Sequence, residues 1–185
     1  MRRSISRRMM VSGSVVAATM SCLPSVHAQT DAASLRTRLV MADEPVDPLT
    51  PTAAKETLLS KDAPKGPQAI VIAGRIGAKG MEPFLENKAS FVLQEIPADD
   101  HAGKAGHDAD NCPFCKKRSA NAPMVAVQFV GEDGKVLPLD ARKLFGIKKG
   151  QDVVVRGSGV FDPKLAIPVI QLTAEAIHVR KPAKK

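Results

Sequence analysis

Two of the four histidines and two of the three cysteines of this 185-residue chain fall within one short run, His101 to Cys115, which reads HAGKAGHDADNCPFC. His101 is followed after five residues by His107, after four more by Cys112, and after two more by Cys115. Thiolates two residues apart can grip a single tetrahedral ion, and two imidazoles complete four-coordination. Zinc suits that donor set best. Copper also accepts soft sulfur with imidazole, and the affinity order favours Cu(II) over Zn(II). His107, Cys112 and Cys115 form the tighter group; Asp108 or Asp110 could take the place of His101 as fourth ligand.

Other chemistries are bounded by the same residues. Only Cys112 and Cys115 remain once the N-terminal segment holding Cys22 is set aside, so a four-cysteine iron site cannot be built within one chain. Lys116, not histidine, follows Cys115, which excludes attachment of a c-type haem. Without a metal, the pair would close as a disulfide in a polar connection running from Pro97 to about Pro123, with two solvated histidines. So long a connection in a small domain needs a function or an internal tie. No hydrolase triad, phosphate loop or supported pair of acid/base carboxylates is recognisable, so nothing names an enzymatic reaction.

Cys112-Pro113-Phe114-Cys115 resembles the knuckles of rubredoxin and zinc-ribbon sites, except that Lys116 stands where those knuckles usually continue with glycine. The motif also resembles the active dithiol of glutaredoxin-like proteins, which would make the chain a thiol-disulfide redox protein using Cys112 and Cys115. In that family the dithiol follows a buried strand and opens a helix. Here it follows polar HDADN, and only residues 116–122 precede the next strand, so the expectation is a loop.

The elements that must carry this loop are β-rich. Ala69 to Gly77 reads as a glycine-bent strand, Ala89 to Ile96 as a second, and Met124 to Val130 as a third, followed by Asp133-Gly134, a strong hairpin signal. Asp140 caps a short helix over Ala141 to Phe145 that Gly146 ends. Gln151 to Val160 and Val169 to Val179 give strands four and five. Over residues 68–180 the glycine-bent first strand, the entry Gly150 to Gly157 after a short helix, and the closing Ile170 to Val179 strand resemble the OB-fold, as found in exported bacterial proteins, many without assigned activity. The resemblance implies an all-β, five-stranded OB-like barrel with one short helix between strands 3 and 4 and a long loop between strands 2 and 3. It also implies oligonucleotide or oligosaccharide binding on the barrel face. The chain has six Phe and no Trp or Tyr, and the strand residues Phe91 and Phe129 suit a core equally well. Base stacking is worth about 1–3 kcal/mol per base, so nucleic acid loses much of its support.

The flanks set localisation. Arg2, Arg3, Arg7 and Arg8, an apolar run from Met9 to Met20, and Val26-His27-Ala28 read as an export signal over 1–28, with Ser6-Arg7-Arg8 resembling the twin-arginine type. The run is shorter than the roughly 20 residues a bilayer requires, so no transmembrane segment is expected in the mature chain. Residues 29–67, with five prolines, read as a Pro/Ala-rich linker carrying short helical turns at Asp31 to Met41 and from Thr50, where Pro51 takes the first helical position. The net charge of +8 belongs to the ends: residues 29–179 hold 19 basic and 19 acidic side chains, and the basic tail is 181–185. The expected molecule is periplasmic or secreted, its partner an unidentified protein or an oligosaccharide.

Overall fold

The computed structural model describes residues 32–60, 64, 66–97, 112–164 and 169–181, without the side chains of 116 and 118–120. The expected export signal, His101, His107, Asp108, Asp110 and residues 182–185 of the tail lie outside the described residues. In chain order the elements are α1 (Ala32–Leu39), α2 (Pro51–Leu59), β1 (Gln68–Ile76), β2 (Ser90–Gln94), α3 (Pro113–Asn121), β3 (Met124–Phe129), α4 (Ala141–Phe145), β4 (Asp152–Phe161) and β5 (Val169–Val179).

The five strands close into a barrel in the order β1-β2-β3-β5-β4. β3 and β5 run parallel and the other neighbours antiparallel. Alternation places Ile70, Ile72 and Ile76 of β1, Val125 and Val127 of β3, and Ile170 and Leu172 of β5 in one interior with Phe91, Leu93 and Phe129. β4 pairs with β1 in unbroken register, whereas its pairing with β5 shifts between Arg156 and Gly157, where Glu175 is the extra residue on β5. A Cβ on Gly157 would collide with the Thr173 carbonyl oxygen, so this close approach requires glycine.

α4 closes one end. The Asp140 carboxylate accepts from the Arg142 N–H at 2.9 Å, and Gly146, at φ 69°, ends the helix in the left-handed region. Ala141, Leu144 and Phe145 are buried, with the Phe145 ring 4.6 Å from that of Phe129. Asp140 also pairs with the Arg142 guanidinium at 2.6 Å, which holds its carboxyl at about 2, well below the usual range.

The segment read as a linker is packed chain over 32–59. Leu35, Leu39 and Ala54 belong to the core, and Val40 and Leu49 bridge to Ile177 and Ile72. β1 pairs with β2 only through Arg75 and Ile76. Earlier on that strand Leu49 donates to the Val71 carbonyl and accepts from Ala73 N–H, both at 2.9 Å. The proline-rich arm thus satisfies strand groups that β2 does not reach. Arg180 clasps the arm through Glu44, donating from Nε at 3.1 Å, and lowers that carboxyl's pKa.

A second difference lies between β2 and β3. The sequence predicts a long loop for this connection and one short helix in the barrel. Instead α3 occupies nine residues of it, Pro113–Asn121. Pro113 sits at the first helical position, where a missing N–H costs nothing, and Pro123 bars continuation.

Candidate functional site

The cysteine pair is positioned by the start of α3. Cys112 immediately precedes the helix and Cys115 is its third residue, so the two stand one turn apart at its opening. Cys112 is half-buried and Cys115 is buried at 7% exposure, whereas Phe114 between them is 80% exposed. The expectation that the motif lies in a loop is therefore corrected: it opens a helix, as a dithiol or a metal knuckle can.

None of the other described side chains of α3 is buried. Of its five described side chains, those of Pro113, Phe114, Lys117 and Asn121 are exposed and only Cys115 is buried. At its far end Lys79 donates to the Ala122 carbonyl at 3.0 Å, tying α3 to the β1–β2 connection. The other described anchor near the root of this connection is Glu95, just past β2. Its carboxylate accepts from the N–H and hydroxyl of Thr52 at 2.9 and 2.7 Å, holding the first turn of α2 against the barrel.

Two thiols can hold a soft ion but leave a tetrahedral shell half filled. Among the described residues no three His, Cys, Asp or Glu side chains come together. His101 and His107 lie outside them, so the pairing of the predicted ligands is documented only for Cys112 and Cys115. His178 is separate: it sits half-buried on β5, its Nδ1 3.2 Å from the Met41 carbonyl.

Phe91 and Phe129, the strand aromatics considered for stacking on bases, are buried at 1% and 0% exposure. The charged strand residues are engaged with one another: Arg75 Nε meets Asp152 at 2.7 Å across β1 and β4. Sequence reasoning missed a different group. Lys55 of α2, Lys79 and Phe161 of β4 meet at a pocket beside the end of α3, with the Lys55 ammonium 5.4 Å from the Phe161 ring centre. No local pattern marks residues so far apart in sequence as neighbours. None of the described helices is long and apolar enough to cross a membrane. No protein-family model matches the chain, and no curated protein matches it.

Proposed function

We propose that the chain is an exported OB-like barrel whose β2–β3 connection is stapled by a zinc-type ion, with Cys112, Cys115, His107 and His101 as ligands, and that it acts as a binding or structural module for an extracytoplasmic partner. The parallel β3–β5 pairing, the ring order and the short helix between β3 and β4 support the OB-like reading. The arginine-rich start and the small-residue site at Val26-His27-Ala28 support export.

The observation that carries the metal is that the buried side chain among those described on α3 is Cys115. A nine-residue helix is marginal in water on its own and in proteins is normally held by an apolar face. α3 has among its described side chains a single buried one, and that one is a thiol beside a second thiol. A metal bound through both sulfurs would supply cohesion that the described apolar side chains of α3 do not.

Elemental analysis of the purified, natively exported chain is expected to give one zinc per molecule, and Cys115→Ser to lose it together with part of the thermal stability. Stoichiometric copper would replace zinc in this reading. A metal-free wild-type protein whose stability is indifferent to Cys112→Ser would end it.

A second reading, thiol-disulfide exchange, is favoured by the same helix opening, with the first cysteine more exposed than the second. The Cys112 thiolate would attack a partner disulfide and Cys115 would resolve the mixed disulfide, leaving the partner reduced and the pair oxidised. Turnover in an insulin reduction assay, lost in Cys112→Ser, would put this reading ahead of the metal staple.

A further inference from the structure

The two sulfurs that would hold the ion are also placed to bond to each other. Cys112 immediately precedes α3 and Cys115 is its third residue. One helical turn sets Cα atoms three positions apart at about 5 Å, within the roughly 4.4–6.8 Å that a disulfide spans. The ion-bound dithiolate and the disulfide are therefore alternative states of one pair. A sulfur committed to a disulfide no longer carries the negative charge with which it would bind a zinc-type ion.

Exposure gives the exchange between these states a direction. Cys112 is half-buried, whereas Cys115 is buried. A dissolved disulfide reaches the pair from solvent, so Cys112 makes the first bond. Cys115, one turn away and shielded, then reacts with the sulfur that Cys112 already carries. The two states also differ in what they tie together. The disulfide closes a ring of four residues at the opening of α3, and short rings gain least from a cross-link. An ion can draw further ligands from chain outside the pair, so its loss takes away cohesion that the disulfide does not return.

We infer that the pair is a redox release for its ion: a low-molecular-weight disulfide, RSSR, converts Cys112 and Cys115 to an intramolecular disulfide and discharges the metal. This regulation rests on the metal reading of the same two residues. The Cys112 thiolate attacks RSSR, forming a mixed disulfide and releasing one RS⁻. The Cys115 thiolate then attacks the Cys112 sulfur, closing the Cys112–Cys115 bond and releasing the second RS⁻. The pair loses two electrons, the small disulfide gains them as two thiolates, and the ion leaves with its charge unchanged. The exchange is stoichiometric and needs no protein substrate.

The full chain, reduced and loaded with zinc, is treated with oxidised glutathione; a chromogenic chelator reads the released zinc and intact mass reads the thiols. One zinc is expected to leave for each disulfide formed, with no glutathione left attached and a product that melts below the zinc form. Added zinc should slow the reaction, since it favours the state that keeps both thiolates. Cys115→Ser should stop at a glutathione adduct on Cys112, and Cys112→Ser should form its adduct on the order of tenfold more slowly. Zinc retained after the disulfide has formed, a zinc-loaded chain that glutathione disulfide leaves unchanged, a lasting adduct on the wild-type chain, or equal rates in the two variants would each overturn the release while leaving the metal site standing. A reduced chain that takes up no zinc overturns the metal reading itself, and the release falls with it.

Discussion

Asp140 does two jobs with one carboxylate, capping α4 and pairing with the Arg142 guanidinium, and both favour its ionised form. Its pKa is held at about 2, from an ordinary value of 3.8. Because the folded value is the lower, this contribution is complete above the unfolded pKa and is lost as pH falls from about 4 through 2. Asn still caps a helix but cannot pair with Arg142. Asp140→Asn should therefore be less stable than wild type near neutrality, and the two denaturation midpoints should converge as the pH is lowered to 2. Parallel midpoints across that range would assign the acid sensitivity elsewhere. Glu44 follows the same sign through its bond from Arg180, but its exposed side chain makes it a weaker contributor.

At the scale of elements, the N-terminal arm is held to the barrel by side chains that its composition understates. α1 offers only two buried residues, Leu35 and Leu39, yet they join the core cluster that also includes Leu144 and Phe145 of α4. Truncating a buried leucine removes transfer energy and leaves a cavity, at a cost of about 2–5 kcal/mol. Leu35→Ala should lower the urea midpoint of the whole domain in a single transition, with a loss in that range. A loss below about 0.5 kcal/mol, typical of a surface change, would mean that α1 is dispensable. α3 is the contrasting element, with a buried thiol in place of a leucine stripe.

For the molecule as a whole, closure of the ring concentrates demand on one position. β4 serves two neighbours, and at its register shift against β5 the Gly157 backbone lies against Thr173. A methyl group there cannot be relieved by moving a flexible side chain, because the clash is with a carbonyl oxygen of β5. Gly157→Ala should destabilise the domain by more than about 3 kcal/mol or prevent folding, since it opposes β4–β5 pairing along the barrel. Soluble expression and thermal melting decide it: a variant melting within a few degrees of wild type would show that the bulge has another way to adapt.

The strands, the hairpin turn at Asp133-Gly134 and the Asp140 to Gly146 helix were legible because each is written in its own residues: β-rich runs, a cap, a glycine at positive φ. Thr50 and Pro51 likewise announced the start of α2. α3 was not legible, because PFCKKRSAN carries no apolar periodicity and its few terminal signals are also those of a loop. Sequence by itself offered His101, His107, Cys112 and Cys115 as candidate ligands and determined the β-rich class and the net charge that resides at the ends. Only the tertiary structure decided that residues 32–59 belong to the core, that Thr52 meets Glu95, and that Lys55, Lys79 and Phe161 share a pocket. Local pattern sets the backbone state and the buried face of a segment. It does not encode which distant segment that face will meet; that choice follows from closing the barrel and burying its remaining apolar surface.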